Sequence, residues 1–484
     1  MKKIITILLV GIFLLQSFCI SAKPTNTTKD LQEDLDPLVD LEITVNISAI
    51  RALDPVDKYS DPDFYVKVTI NNEEYSSPTW EDTTYQYNSW KVTQDVPDEE
   101  ELVYITLQLF DKNVGLDKQC DISPRVNKEK QGLTVNLVYN VKTGHWHGDD
   151  AVLGDASGYG RLNGCDDNNI YIEEDDCELW FNIFQNDYDN DNIPYWMEEN
   201  IYGTDPNIDN TGDDTDNDMI PIEWEHLWGY HPNIWDDHKQ LDPDHDSLSN
   251  FEEYLTSQWD SNPFRRDLFL ELDYMEDSHN GEKSIMPNES KEILKNPYHR
   301  HNIVVHIDSG EMMCGGEIIP FDNKTNSEGV YQLYNEYFLH GDTDYWRRSI
   351  FHYGLFVFDC IPAGYGFSGE RVPFYGPGTN SFVISSKHMR EISQKTRKPL
   401  EYVYSSAMMH EIGHSFGIRL GNPFGCDGQF TKYPWQIGYW IFRNYKSIMN
   451  YRFTYKILDY SDGSHGRRDH DDWANLDFSH FEAQ

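Results

Sequence analysis

The sequence predicts a multidomain fold with an N-terminal antiparallel β-sandwich, a central region of aspartate repeats, and a C-terminal α+β domain with a mixed sheet. Three observations support this order. Short alternating strand patterns precede residue 185, one aspartate spacing recurs three times between residues 185 and 262, and strand and helix patterns alternate from residue 263. At 484 residues the chain is too long for a single hydrophobic core, so separate domains are expected.

Residues 1–22 have the pattern of an export signal. Two lysines precede an apolar run at 4–20, and the small residue Ala22 marks a cleavage site. We therefore expect a secreted or extracellular protein in which residues 23–40 form an acidic spacer. The alternative is an uncleaved N-terminal anchor, because the apolar run approaches the length that spans a membrane.

The formal net charge of −44 limits the expected partners. It excludes nucleic acid and anionic membranes as default ligands, because both are themselves negatively charged. Much of the acid lies in regularly spaced aspartates rather than being spread evenly along the chain. That distribution favours divalent cations, and calcium in particular, as the counterions.

Six cysteines follow the export signal, and an even number in an exported chain predicts disulfide bonds. Cys165 and Cys177 flank a short loop rich in Asp and Asn, and they are the favoured pair. The spacing leaves the pairing of the other four open, because six cysteines allow many connectivities.

Residues 41–184 have the pattern of a β-sandwich built from short antiparallel strands. Apolar and polar residues alternate in five segments joined by polar connections, as expected for strands with one buried face. These segments are 41–47, 64–70, 103–110, 134–138 and 178–184.

Two acidic loops interrupt these strands, one containing Ser60-Asp61-Pro62 and the other running from Asp111 to Asp117. The region resembles the calcium-dependent C2-type β-sandwich, whose loops carry a Ser-Asp-Pro signature and a later Asp-x-Asp. The resemblance implies a calcium site near Asp54, Asp57, Asp61, Asp111 and Asp117. Asn113 stands where an aspartate is usual, so the implied site is weakened. A plain sandwich with solvated loops is the alternative, and contact with a membrane or cell surface does not follow.

Three segments in residues 185–262 share the spacing of an EF-hand calcium loop. Each places aspartates at loop positions one, three and five and a glutamate at position twelve, which together supply the hard oxygen ligands that Ca²⁺ prefers. The predicted ligands are Asp187, Asp189, Asp191 and Glu198 in the first loop, Asp214, Asp216, Asp218 and Glu225 in the second, and Asp242, Asp244, Asp246 and Glu253 in the third.

Loop position six, where an EF-hand has glycine, holds Asn192, Met219 and Ser247. Methionine tolerates a left-handed backbone poorly, so we expect the second loop to be the weakest or most distorted. The set resembles the thrombospondin type-3-like and dockerin-like calcium repeats of exported microbial proteins, which implies a spacer that calcium makes rigid. An acidic disordered linker is the alternative.

The segment His410-Glu411-Ile412-Gly413-His414 predicts a zinc site on a helix. Histidines four residues apart lie on one helix face, one turn apart, where a single Zn²⁺ can bind both imidazoles. Glu411 lies on the adjacent flank, where it can accept a proton from the attacking water. An ordinary amphipathic helix that happens to carry two histidines is the alternative.

The sequence around this motif predicts an α+β domain at residues 263–484. Strand patterns and helix patterns alternate, and a long helix from about residue 400 to 416 ends at Gly417, a residue suited to a left-handed helix terminus. The predicted strands are 268–273, 302–307, 350–358 and 381–384, and the shorter helices are 289–294 and 329–339.

A second motif, Ser447-Ile448-Met449-Asn450-Tyr451, follows the histidine helix. This order of motifs resembles the metzincin metalloproteases, in which a methionine-containing turn passes beneath the metal. The resemblance implies that role for Met449, and it implies that Tyr451 contacts zinc or stabilises the transition-state oxyanion.

The third zinc ligand does not stand where the metzincin pattern places it. The pattern continues to a histidine or aspartate three residues after the glycine, and Leu420 occupies that position, although catalytic zinc sites usually have three protein ligands. Asp427 is the favoured substitute, with Cys426 of the same loop as an alternative. His465 or His470 could instead fold back to the metal. The remaining possibility is an inactive homologue.

These patterns together predict a secreted zinc endopeptidase that acts on protein or peptide substrates and is stabilised by several calcium ions. One Zn²⁺ would polarise the scissile carbonyl, Glu411 would act as the general base, and Tyr451 would stabilise the oxyanion. The alternative is a calcium-dependent surface adhesin or scaffold whose metzincin-like domain is degenerate.

Overall fold

The computed structural model describes residues 34–87, 89–124, 133–151, 157–167, 170–367, 379–419, 421–428 and 430–481. The expected signal segment, the start of the spacer and Leu420 lie outside these residues. In the described part of the chain, no helix combines the length and the apolar character needed to cross a membrane.

Two antiparallel sheets form the N-terminal β-sandwich, and each of the five predicted strands is present. The strands are β1 (Glu42–Ala52), β2 (Phe64–Ile70), β3 (Glu73–Ser76), β4 (Tyr85–Gln86), β5 (Trp90–Asp95), β6 (Leu102–Asp111), β7 (Lys118–Gln119), β8 (Val135–Asn140), β9 (His145–Gly148), β10 (Arg161–Asn163) and β11 (Cys177–Gln185). One sheet has the order β10-β11-β1-β4 with β5 also on β1, and the other has the order β3-β2-β6-β8-β9 with β7 on β6. Alternate side chains from both sheets, among them Val45 and Val66, meet in one buried core.

The favoured disulfide is wrong, because Cys165 and Cys177 are both free thiols. Strand register explains the difference. The backbone N–H of Cys177 donates to the carbonyl of Asp121 at 2.7 Å, so β11 runs beside Cys120, and the Cys177 thiol faces that cysteine. The Cys165 thiol instead lies 3.3 Å from the Asp176 carboxylate.

Three aspartate loops follow the sandwich, and each leads into a short helix. The helices are α1 (Tyr195–Met197), which continues as a π-helical turn to Tyr202, α2 (Ile222–Trp228) and α3 (Asn250–Thr256). At loop position six, Asn192, Met219 and Ser247 have φ values of 65°, 88° and 76°. The expected left-handed turn is therefore present in all three loops, and Met219 adopts it despite its side chain.

The C-terminal region contains a mixed sheet, as predicted. Its strands are β12 (Asp267–Met275), β13 (Val304–Asp308), β14 (Ile318–Ile319), β15 (Phe351–Val357), β16 (Gly364–Phe367) and β17 (Ser381–Ser385). The order is β13-β12-β15-β17-β16 with β14 on β12, and every pair is parallel except β16 with β17.

Helices cover this sheet and form the scaffold of the histidine motif. They are α4 (Glu289–Arg300), α5 (Ser327–Leu333), α6 (Ser386–Thr396), α7 (Leu400–Ser415) and α8 (Ile437–Ile441), with the short strand β18 (Phe424–Asp427) between α7 and α8. The predicted helix at 329–339 is α5 followed by a π-helical turn, Tyr334–Phe338. Every residue of α7 from Val403 to Ser415 is buried, and the helix ends at Gly417 with φ of 85°, as expected.

A buried ion network lies within the mixed sheet. The guanidinium of Arg347 contacts Glu271 at 2.5 Å and Asp308 at 2.6 Å, and all three side chains are inaccessible to solvent. Arg347 also lies over the ring of Phe351 at 3.6 Å. Because a buried carboxylate is stable only when paired, Arg347 is what allows two acidic side chains on neighbouring strands.

The β-sandwich contacts α4 through buried polar groups. Glu178 of β11 binds Arg161 and accepts a hydrogen bond from His299 Nδ1 at 2.7 Å, with Arg51 at 3.9 Å. Burial alone would raise the pKa of Glu178, but the neighbouring Arg161 and His299 hold it well below its usual range. The carboxylate is therefore charged in the fold and links the two regions.

Candidate active site

Helix α7 presents both histidines of the motif toward one point. His410 Nδ1 donates to the Ile448 carbonyl at 3.0 Å, and His414 Nδ1 donates to the Ile418 carbonyl at 2.6 Å. A carbonyl accepts only from a protonated nitrogen, so these contacts assign the proton to Nδ1 in each ring. In the neutral ring each Nε2 then keeps a lone pair, which is the arrangement of a metal-binding histidine held by a backbone partner.

Asp427 completes a cluster with these histidines, which we call the His410 cluster (His410, His414 and Asp427). Its carboxylate oxygens lie 3.0 Å from His410 Nε2 and 3.3 Å from His414 Nε2, and the three ligand atoms all lie within 4.8 Å of one another. The backbone N–H of Asp427 donates to the Met449 carbonyl at 3.0 Å. The methionine turn therefore orients both Asp427 and, through Ile448, His410.

The donor set of the His410 cluster fits Zn²⁺. Two nitrogen lone pairs facing a carboxylate at this distance repel it unless a proton or a metal ion lies between them. A tetrahedral zinc with bonds of about 2.0–2.1 Å would hold its ligand atoms about 3.3 Å apart.

The pKa values of the two histidines are shifted in opposite directions. Burial disfavours the charged form of His410, but the carboxylate of Asp427 outweighs burial and raises its pKa to about 9. Burial dominates at His414, whose pKa is lowered to about 4. In the absence of a metal ion, a proton on His410 therefore balances the Asp427 charge.

Glu411 lies beside the His410 cluster without belonging to it. Its Oε2 is 4.0 Å from His414 Nε2 and lacks a hydrogen-bond partner in the described part of the chain. Burial raises the pKa of Glu411 to about 8, with His410 opposing the rise. Gly364 on β16 gives the carboxylate its room, since a Cβ at that position would lie 2.8 Å from Glu411 Oε1.

Met449 and Tyr451 both reach the histidine helix. A Cβ added to Gly413 would meet Met449 Sδ at 2.6 Å, so the methionine packs directly against α7 below the histidines. The Tyr451 ring stacks on His410 with centroids 5.8 Å apart, and its side chain hydrogen-bonds to Asp427.

The other candidates for the third ligand lie elsewhere. His465 hydrogen-bonds to Asp469 at 2.9 Å, and His470 lies beside Asp472 at 3.9 Å, so the predicted return of either histidine to the His410 cluster is not found. Cys426 is a buried free thiol next to Asp427, but the Asp427 carboxylate is the group that faces both imidazoles.

The first two aspartate loops bring predicted calcium ligands close together. In the first loop the carboxylates at positions one, three, five and twelve converge, and in the second those at positions one, three and five do so. Oxygens of Asp189, Glu198, Asp216, Glu225, Asp244 and Glu253 are buried without a hydrogen-bond partner in the described residues. Several buried oxygens with no donor are the donor set that Ca²⁺ takes, so the loops fit this ion.

Sequence reasoning missed two residues at these loops, Asp267 and His238. The backbone N–H of Asp267, at the start of β12, donates to Asp246 at 2.7 Å, and its carboxylate raises the pKa of buried Glu253 in the third loop, second only to burial. A signal was available, because each loop is followed some twenty residues later by another polar residue that contacts it. His238 lies 3.2 Å from Asp218 in the second loop.

The acidic loops of the sandwich are only partly assembled. The carboxyl groups of Asp57 and Asp111 lie close together, and, in addition to burial, Asp57 helps to raise the pKa of Asp111, whereas Asp117 accepts from the Tyr65 hydroxyl at 2.8 Å. Asp61 is exposed. Asp54 is buried and paired with Arg300 of α4, so a guanidinium stands where the resemblance implies a calcium ion. Calcium binding by these loops stays a prediction.

Comparison with solved structures finds C2 domains over 30% of this chain. A structure described as a C2 domain has 12% sequence identity over 97% of its own length, with a TM-score of 0.19. A C2 domain of a plant extended synaptotagmin 1 has 13% identity over 96% of its length, with a TM-score of 0.16. For human GIVD cytosolic phospholipase A2 the identity is 15%, the TM-score is 0.17, and this chain spans 17% of that protein.

TM-scores this low add no argument to the strand pairing that defines the sandwich. No protein-family model matches the chain, and no curated protein matches it.

Proposed function

We propose that the chain is a zinc-dependent endopeptidase whose fold calcium stabilises. The observation that carries this proposal is the convergence of His410 Nε2, His414 Nε2 and the Asp427 carboxylate next to Glu411. Three protein ligands leave the fourth position of a tetrahedral site open, as in catalytic zinc centres. When bound there, Zn²⁺ supplies Lewis-acid polarisation of the scissile carbonyl and lowers the pKa of water.

Glu411 takes the part of the general base. It accepts the proton of the attacking water and delivers it to the leaving amine, so one carboxyl serves both halves of peptide hydrolysis. Its burial, which raises its pKa to about 8 before any metal binds, keeps the group near the pH at which proton transfer in both directions is useful. Tyr451, whose ring lies on His410, is the group assigned to the oxyanion.

Strand β16 is the natural place for the substrate backbone. It is an edge strand of the sheet in the described residues, and a Cβ at its Gly364 would lie 2.8 Å from Glu411 Oε1. An extended peptide added along this edge would bring its carbonyl groups to the base, since strand addition aligns a backbone by main-chain hydrogen bonds.

The test is cleavage of casein by Glu411→Gln. We expect activity to fall about 10²–10⁴-fold, the usual contribution of a general base, with bound zinc unchanged. Glu401→Gln, in the first turn of the same helix, is the matched control and should keep full activity. If purified Glu411→Gln cleaves casein as fast as wild type, and a chelator still inhibits that cleavage, the role of Glu411 as the general base is refuted.

Metal analysis of the same proteins tests the ligand assignment and the scaffold alternative. Asp427→Ala should lose zinc and activity together, while Cys426→Ser should keep both, because only the Asp427 carboxylate faces both imidazoles. A wild-type chain that retains no zinc after purification in zinc-containing buffer favours the degenerate scaffold instead.

A further inference from the structure

The second aspartate loop meets a histidine that an EF-hand pattern does not include. His238 Nε2 lies 3.2 Å from Asp218 Oδ2, and the metal-binding atoms of Asp218, Glu225 and His238 all lie within 4.8 Å of one another. All three residues are buried, with exposed fractions of 6%, 0% and 1%. We call this group the His238 cluster.

Three polar atoms of the His238 cluster have no hydrogen-bond partner in the described chain. His238 Nε2 forms no hydrogen bond there, because its contact with Asp218 lacks hydrogen-bonding geometry, and both oxygens of Glu225 are likewise without a donor. A buried, unpaired carboxylate is costly, so a fully buried glutamate beside an aspartate is a favourable position for a neutralising cation.

The surroundings hold the His238 ring in position to bind a cation. Nδ1 lies 3.0 Å from the side-chain nitrogen of Asn250, the first residue of α3, and the Oδ1 of Asn250 has no partner in the described residues. Rotation of this amide by 180° would turn Oδ1 toward the ring, where it accepts the Nδ1 proton, so that the Nε2 lone pair faces the cluster. Trp224 and Tyr230 pack edge-on against the imidazole at 5.8 and 4.8 Å.

The first and third loops lack this histidine, although their construction is the same. In each loop the aspartate at position five accepts a backbone N–H from a downstream residue: Asn210 to Asp191 at 3.2 Å, Asp236 to Asp218 at 3.1 Å, and Asp267 to Asp246 at 2.7 Å. Two residues beyond that donor stand Gly212, His238 and Phe269, respectively. A nitrogen ligand is therefore available at this position in the second loop alone.

We propose that the second loop binds a divalent transition-metal ion, Zn²⁺ in the first instance, through His238, Asp218 and Glu225, while the other two loops bind Ca²⁺. Imidazole nitrogen is a preferred ligand of zinc, whereas Ca²⁺ selects oxygen. The separation of 3.2 Å between His238 Nε2 and Asp218 Oδ2 matches the distance of about 3.3 Å between two ligand atoms of a tetrahedral zinc. This inference does not rest on peptidase activity.

The first test compares bound metal in full-length protein dialysed against micromolar Zn²⁺ with millimolar Ca²⁺ present. His238→Asn should hold one zinc per chain fewer than wild type, whatever number the wild type holds. His231→Asn, in the same segment but outside the cluster, is the control and should match wild type. Equal zinc in wild type and folded His238→Asn would overturn the proposal.

A second variant separates ligation from packing. His238→Cys supplies a thiolate, which also binds zinc, so it should restore the lost equivalent and give a cobalt–thiolate absorption band when Co²⁺ replaces zinc. A residue that only fills space between Trp224 and Tyr230 would produce no such band. If His238→Asn does not fold by circular dichroism, the band alone decides, and its absence refutes zinc binding at this position.

Discussion

Calcium removal should make the first aspartate loop less stable as the pH rises. Glu198 closes this loop with a fully buried side chain whose Oε2 lacks a partner in the described residues. Burial raises the pKa of Glu198 from 4.5 to about 8, and the carboxylates of Asp191, Asp189 and Asp187 add to the rise, although the Thr204 hydroxyl opposes it.

The direction of this pH dependence follows from the number of protons that the folded and unfolded states bind. A carboxyl whose pKa is higher in the folded state binds more protons when folded, so its contribution favours folding at low pH and is lost between about pH 4 and about pH 8. Each pKa unit corresponds to about 1.4 kcal/mol, which sets a ceiling of about 5 kcal/mol for ionising Glu198 in place. The measured loss in the free energy of unfolding should be smaller than this ceiling, because the loop can open locally and expose the charge to water. Bound Ca²⁺ removes the penalty by pairing with the charge.

The assay is thermal unfolding of the full-length protein at about pH 5 and about pH 8, in calcium and in chelator. Tryptophan fluorescence reports on the loop, since Trp196 lies two residues before Glu198 and packs on the sandwich core. Glu198→Gln is neutral and nearly isosteric, so at the higher pH it should be more stable than wild type in chelator and less stable in calcium. Exposed Glu199→Gln is the control and should change neither. If Glu198→Gln is destabilising in both conditions, the reasoning is refuted.

Two further substitutions test the C-terminal domain, one beside Glu411 and one in the buried ion network. Gly364→Ala would place a methyl group against the Glu411 carboxylate, so kcat for peptide hydrolysis should fall about 100-fold with zinc content unchanged; an unaltered kcat contradicts the placement of the base. Arg347→Met removes the cation shared by Glu271 and Asp308, and urea unfolding should show a loss of about 3–5 kcal/mol in the free energy of unfolding. A loss below about 1 kcal/mol would mean that these carboxylates do not carry charge in the fold.

The sequence predicts the features of this protein that depend on local spacing. The four-residue interval between His410 and His414 places them on one face of α7, and Gly417 ends that helix with φ of 85°. The loop turn at position six is left-handed even at Met219, because the surrounding aspartates specify the turn. Alternating strands were also predictable, since one buried face imposes a two-residue period.

Features that depend on long-range contacts were less accessible. The sequence favours Asp427 as the third ligand only because it is a carboxylate close to the histidine motif. Its position is set by a backbone hydrogen bond to Met449, 22 residues away. The pairing of Cys165 with Cys177 was wrong because strand register, rather than loop length, decides which thiols meet. His238 was not predicted because the EF-hand pattern covers only the twelve residues of the loop. This side chain comes from the segment that follows the second loop.

Helix α4 joins the sandwich to the candidate active site. On one side, Glu178 of the sandwich accepts from His299 of α4. On the other side, the Ser405 hydroxyl of α7 donates to the Ser290 carbonyl of α4 at 2.7 Å. Tyr298 of α4 also bonds to the hydroxyl of Tyr460, which donates to a backbone carbonyl of α7 at 2.6 Å.

These contacts are short and their side chains are buried, so a shift of α4 would be transmitted to the histidine helix. Arg300, the last residue of α4, forms an ion pair with Asp54, which lies in a loop that resembles the calcium loops of C2-type sandwiches. The guanidinium there is part of the fold and requires no ion. The pair of Asp54 and Arg300 therefore fixes the sandwich to α4, and through α4 to the histidine helix α7, whatever ions its other acidic residues bind.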